Sequence, residues 1–268
     1  MPTFEESLAA AKRLKLAPEA KNTRILTIDI ESKPLQVYTW GLWDQNIGIT
    51  QIIEPGGMIC FAAKWMGEKE VIFKSVHHDG YEAMVQSAWD LLSEADVIVT
   101  YNGIRYDVKR LNNEFMLNGL HPPKPYKHID LMRANKQSFD LPSRKLDWLA
   151  QQSGVGKKEE TGGFQLWLDC MAGDAKAWAT MRRYNIQDVV VTEKAYLRIL
   201  PWITGAPHQG MFTAQGGSCP YCGSTKLELD GITHTNVQSY RLFQCTKCKG
   251  WSRGTTTLQD PTRTRPIR

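Results

Sequence analysis

The chain has 268 residues, 42% of them hydrophobic and 23% charged, with a formal net charge of +5. That content supports one sizeable core and a small appendage, and it excludes a disordered or fibrous chain. No run approaches the roughly 18 apolar residues of a membrane span. Residues 1–15 carry charges where a secretory leader needs an apolar stretch, so a soluble, cytoplasmic protein is expected.

The first elements are read from pattern. Thr3 and Glu6 have the T-x-x-E form of a capping box, which predicts a short helix over 3–14. Residues 25–31 then form an apolar run interrupted by Asp29 and Glu31. In a strand these two acids share one face while Ile28 and Ile30 take the other. Two like charges so close call for a hard divalent cation such as Mg2+ or Mn2+, unless the strand simply runs out into solvent. Strands over 37–40, 58–66 and 71–75 are predicted to join this one in an antiparallel meander.

Further along, residues 81–93 have the apolar stripe of an amphipathic helix, and 96–101 read as a buried strand. A helix over 107–118, a strand over 127–132, a helix over 146–152, a Gly-rich loop over 154–163 and a long helix over 175–200 complete the body. Strands first, then strands alternating with helices, indicate a mixed α/β sheet. The Gly- and Pro-rich stretch 201–217 reads as a linker between a body of 24–200 and a cysteine-rich module of 218–268, with 1–23 as an N-terminal extension.

Two more segments carry candidate chemistry. Tyr101-Asn102-Gly103-Ile104-Arg105-Tyr106-Asp107 places a carboxylate after a strand and a turn, at a helix start, where an ordinary N-cap is the plain alternative. Tyr184 and Asp188, at i and i+4, share a face of the long helix, which a solvated face also explains. His77 and His78 read as loop residues, Cys60 as a core thiol, and Trp40, Trp43, Trp65, Trp89 and Trp167 as packing residues.

Taken together and in this order, Ile28 to Glu31, Tyr101 to Asp107 and Tyr184 to Asp188 resemble the three motifs of the DEDD, or DnaQ-like, 3′-5′ exonucleases with a ribonuclease H-like fold. The wording is most similar to the proofreading domains of family B DNA polymerases, and Leu141 to Asp147 resembles the approach to their third motif. Arg183 stands where the histidine subclass has histidine, so Tyr184 points to the tyrosine subclass. The resemblance spans roughly 24–200. It implies that Asp29, Glu31, Asp107 and Asp188 hold two Mg2+ or Mn2+ ions, and that Tyr184 orients the attacking water. It also implies that Tyr101, Asn102, Arg105 and Tyr106 contact the terminal nucleotide.

The expected activity is hydrolysis of terminal phosphodiesters, with DNA favoured and single-stranded 3′ ends as the partner, beside a replication or repair enzyme acting in trans. An RNA-directed or structure-specific nuclease of the same fold and a non-cleaving nucleic-acid adaptor are the rivals.

Four of the six cysteines form two C-x-x-C pairs, Cys219/Cys222 and Cys245/Cys248, a metal spacing that resembles the two knuckles of a zinc ribbon. Four thiolates close a tetrahedral shell, so one structural Zn2+ is expected. Residues 216–268 hold eight Lys/Arg against three Asp/Glu, so residues 1–215 are neutral overall. Tyr221, Tyr240, Phe243 and Trp251 lie among Lys226, Arg241, Lys247, Lys249 and Arg253. That is the composition of a single-strand binding surface, although one or two of the aromatics are expected to form the ribbon's small core.

Overall fold

Strand β1 (Ile25–Lys33) lies at the centre of a five-stranded sheet because it is apolar enough to be covered on both faces. The computed structural model describes residues 23–157, 162–211 and 217–258; the helix expected over 3–14 lies outside them. Two compact units are distinguished, one of Arg24–Ile199 and one holding Thr23 and the residues from Leu200 onward.

In the first unit β1 pairs antiparallel with β4 (Gly57–Trp65), and β4 pairs antiparallel with β5 (Ile72–Ser75). On its other side β1 pairs parallel with β6 (Val97–Thr100), and β6 pairs parallel with β7 (Lys127–Asp130). The sheet is therefore mixed, as its element order led one to expect. A bulge between Glu31 and Ser32 leaves Ile59 unopposed, since Glu31 faces Cys60 and Ser32 faces Met58.

Two helical layers cover the sheet. Against one face Leu26, Ile28 and Ile30 meet Phe61, Ala63 and Trp65. They are covered by Met84, Val85, Ala88, Leu91 and Leu92 of helix α1 (Tyr81–Glu94) and by Leu111 and Phe115 of α2 (Asp107–Leu117). Against the other, Ile59 and Cys60 meet Leu166 and Cys170 of α5 (Gln165–Met171) and Ala177, Trp178 and Met181 of α6 (Ala175–Ile199). Helix α6 is capped by the Asp174 carboxylate, which accepts from the N–H groups of Lys176 (2.7 Å) and Ala177 (2.9 Å).

Three expectations need correction. The strand expected over 37–40 is the two-residue β2 (Gln36–Val37), which leaves the main sheet and pairs with a separate β3 (Ile52–Glu54). The strand expected over 127–132 ends at Asp130. That residue's side chain accepts from the N–H groups of Met132 (3.0 Å) and Arg133 (3.4 Å) and so starts a helix, α3 (Leu131–Ser138), ahead of α4 (Leu146–Gln152). A helix that was not expected, α5, begins right after Phe164, past the end of the expected loop, because Leu166 and Cys170 have a core to enter. Trp40 and Trp43 do not pack: they are 100% and 83% exposed on the arm between β2 and β3.

Across the sheet, Lys64 of β4 and Glu193 of α6 form a buried ion pair, with Nζ 2.7 and 2.5 Å from the two carboxylate oxygens. Lys64→Met removes one partner and leaves the other charge buried, at a cost of about 3–5 kcal/mol. Thermal melting should show a midpoint lowered by on the order of 10 °C. A midpoint within experimental error of wild type would show that the pair does not hold α6 to the sheet.

In the second unit β8 (Leu227–His234), β9 (Ser239–Cys245) and β10 (Trp251–Thr257) form an antiparallel sheet in the order β10-β9-β8. Tyr240 is buried there and Trp251 is 45% exposed.

Candidate active site and cysteine cluster

The alternation of β1 turns Asp29 and Glu31 toward the face covered by α6, whose Asp188 is buried to 2% exposure. One carboxylate oxygen from each of Asp29, Glu31 and Asp188 lies within 4.8 Å of the others. Three hard oxygen donors from two rigid elements suit Mg2+ or Mn2+, and the mutual repulsion of the acids gives a cation something to relieve.

Asp107 stands outside that group of three. Its Oδ1 accepts from the N–H of Ile30, the residue between the two strand acids, at 3.2 Å. Burial pushes its carboxyl up to about 6, and the nearby Asp130 carboxylate adds to the rise while the Ile30 N–H opposes it.

The residue that sequence reasoning passed over is Asn185, fully buried between Tyr184 and Asp188 along the helix. Its Nδ2 donates to Asp29 Oδ2 at 2.8 Å and to the Asp29 carbonyl at 3.3 Å, and its Oδ1 stands 4.0 Å from Cys60 Sγ. An amide with one donor end on Asp29 fixes that carboxylate's rotamer. An apolar-pattern scan cannot see it, although a buried-face asparagine three residues before a candidate ligand is a usable signal. Tyr184 is half-buried, edge-on to Trp167 with ring centroids 6.2 Å apart.

Backbone hydrogen bonds hold the turn of the second segment that leads into Asp107. Asn102 adopts a left-handed φ of 68°, and its N–H donates to Asp130 Oδ1 at 3.0 Å. Gly103 N–H donates to Thr100 Oγ1 at 3.1 Å, and a Cβ at 103 would come 2.3 Å from that oxygen, so only glycine fits. Tyr101 Oη donates to the Arg144 carbonyl at 2.6 Å, while Arg105 and Tyr106 are exposed. Tyr106 lines a cavity of about 560 Å3 with Ser32, Arg110, Phe164 and Trp167; Tyr101, Asn102 and Arg105 do not line it.

A family profile described as the RNase H superfamily matches residues 50–199. The chain belongs to the RNase H superfamily. The match starts after β1, so Asp29 and Glu31 join the superfamily region by geometry alone. Among solved structures, the family B DNA polymerase of the hyperthermophilic archaeon Pyrobaculum calidifontis is similar at 16% identity with a TM-score of 0.52. The similarity covers 83% of this chain and 32% of the polymerase. The chain thus spans about a third of that polymerase's length, and the likeness is one of fold. No curated protein matches. This RNase H-like body supports a nuclease role, and superfamily nucleases usually use divalent metals. Among the described residues no helix is long and apolar enough to cross a membrane.

In the second unit the four cysteines of the two C-x-x-C turns come together, with all four sulfurs within 4.8 Å. Cys219 and Cys248 sulfurs are 3.6 Å apart, and those of Cys222 and Cys245 are 3.7 Å apart. A tetrahedron with Zn–S bonds of about 2.3 Å has edges of about 3.8 Å, whereas a disulfide needs about 2.05 Å. The cluster therefore fits a zinc ribbon. Lys249 takes a left-handed φ of 62° to close its turn, and Gly250 leaves room for the Tyr221 ring, which a Cβ would meet at 2.6 Å. Burial acts against ionising Cys245, but the N–H groups of Cys248 and Lys247 and the Cys222 thiol bring it down to about 7.

Proposed function

We propose that this RNase H superfamily chain is a metal-dependent 3′-5′ exonuclease of the tyrosine subclass, with DNA as the favoured substrate. The observation that carries the reading is the convergence of Asp29, Glu31 and Asp188 oxygens within 4.8 Å, with Tyr184 one helical turn before Asp188. Two divalent cations, when bound, supply the nucleophilic hydroxide and the charge that offsets the departing 3′ oxygen.

The chain's own residues do the rest. Asp29, Glu31 and Asp188 provide the negative oxygens, and Asn185 keeps Asp29 in one orientation. Asp107 steadies the strand between the two acids through Ile30 N–H and supports the second cation directly or through water. The Tyr184 hydroxyl hydrogen-bonds the attacking water and aims it in line with the scissile bond. One Zn2+ on Cys219, Cys222, Cys245 and Cys248 folds the C-terminal module, whose Lys and Arg side chains add affinity for the strand. The polymerase likeness is consistent with work in trans beside a replication or repair enzyme.

Digestion of 5′- and 3′-labelled single- and double-stranded DNA and RNA tests this directly. With Mn2+ or Mg2+ a 5′-labelled strand should shorten as a ladder, a 3′-labelled strand should release labelled mononucleotide, and EDTA should stop both. Release of the 5′ label as mononucleotide, or cleavage only at internal junctions, would replace the reading with another nuclease of the same fold.

A further inference from the structure

Between β2 and β3 the chain throws out an arm that is apolar and uncovered. Tyr38 is 73% exposed, Leu42 89% and Ile49 87%, in addition to the two tryptophans already noted. Residues 35–53 contain a single charged side chain, Asp44. We infer that this arm is a stacking platform for unpaired nucleobases of the substrate strand, extending the carboxylate site outward. The inference rests on the nuclease reading.

Three observations select the occupant. First, the arm has no Lys or Arg, so it has nothing with which to grip phosphates, and its uncharged rings suit the faces of bases. Second, it is rooted in the catalytic strand: Lys33, opposite Gly57 in the β1–β4 ladder, lies only two residues, or about 7 Å of strand, beyond Glu31. Third, its foot leads toward Tyr184. Pro34 and Leu35 line the 560 Å3 cavity together with Tyr106, Phe164 and Trp167, and Trp167 is the ring set edge-on to Tyr184.

The cations belong to the inner end. Arg110 and Lys33 line the same cavity, with the Arg110 guanidinium 5.9 Å from the Tyr106 ring centroid. Arg110 in this cavity, with Lys33 and its Glu54 partner, and neutral rings beyond them match a strand whose phosphates are held at the foot while its following bases stack. An apolar groove on another protein could cover the same tryptophans, but it would have no need of a cavity leading toward Tyr184. Strand length is thereby the property the arm should read, at about a tenfold gain per stacked base.

The test uses the full chain and the double variant Trp40→Ala/Trp43→Ala, whose side chains are exposed enough for the fold to tolerate it. KM for oligothymidylates of two and eight nucleotides is measured with Mn2+. Wild type should favour the octamer, and the variant should lose tenfold or more of that advantage through KM rather than kcat. An unchanged length dependence would overturn the proposal and point to a protein partner on the arm. Binding of fluorescein-labelled octamer, read by anisotropy without added Mg2+ or Mn2+ and without chelator so that the zinc stays in place, separates this from the nuclease reading. If wild type cleaves nothing, that reading falls, and the arm is still judged by whether the variant binds the octamer at least tenfold more weakly. Equal binding by the two proteins overturns it.

Discussion

Asp188→Asn is expected to lower hydrolysis by ~10^3-fold or more, the loss that about 4 kcal/mol of transition-state stabilisation represents. The side chain is buried, sits on the long helix and brings one of the three oxygens of the carboxylate group. The amide preserves shape and volume, so packing around α6 is untouched. Removing one of three crowded negative charges relieves repulsion, and the metal-free variant should melt at or above the wild-type temperature. Adding Mn2+ should then separate the two proteins: a bound ion raises the wild-type midpoint in proportion to its occupancy, and the variant should gain much less. Wild-type cleavage by the variant, or an equal Mn2+-dependent rise in both midpoints, would remove Asp188 from the site. Asp29→Asn should behave alike, with the added loss of the Asn185 hydrogen bond's geometry.

The second large effect is expected at the cysteine cluster. Cys248→Ser, or chelation of the wild type, should release about one zinc per chain and unfold the C-terminal module. The apparent binding energy of structural zinc, about 10–16 kcal/mol, is folding energy for so small a unit. Among the described residues the three strands bury Tyr240 and the ligand Cys245 beside a few half-buried side chains, and have little else to hold them. Trp251, on β10, provides the probe: its fluorescence should shift to that of a solvated indole on zinc loss and recover on zinc return. The unit of Arg24–Ile199 has its own core and should keep its melting transition. It should also keep cleaving short oligonucleotides, while affinity for long strands falls and its salt dependence flattens as fewer cations meet phosphates. A full zinc content in the serine variant, or a module that stays folded in chelator, would show that the thiolates do not form a closed structural site.

The two metal-type clusters were legible to very different degrees. For the cysteines, spacing alone brings each pair into one turn, and only the meeting of the two turns needed the β8–β9–β10 sheet. For the carboxylates, the period of two in β1 put Asp29 and Glu31 on one face, and the period of 3.6 in α6 put Tyr184 and Asp188 on one face. Such local relations follow from backbone geometry and are written into any stretch that adopts it. The long elements were legible from local composition as well, β1 and β4 as apolar runs and α1 by its apolar stripe.

What tertiary structure alone decided is everything that depends on which surface an element finds. Asn185 reaches Asp29 across 156 residues of chain, a pairing that no local pattern specifies. Helix α5 forms because Cys60 and Met181 offer Leu166 and Cys170 a place to be buried; its seven residues are too few to be helical on propensity. Trp40 and Trp43 look like core residues because tryptophan usually is buried, yet their arm leaves the main sheet and, among the described residues, has no layer above it. Local period is set by the bonds of the chain itself, whereas burial and long-range hydrogen bonds are properties of two surfaces that only folding brings together.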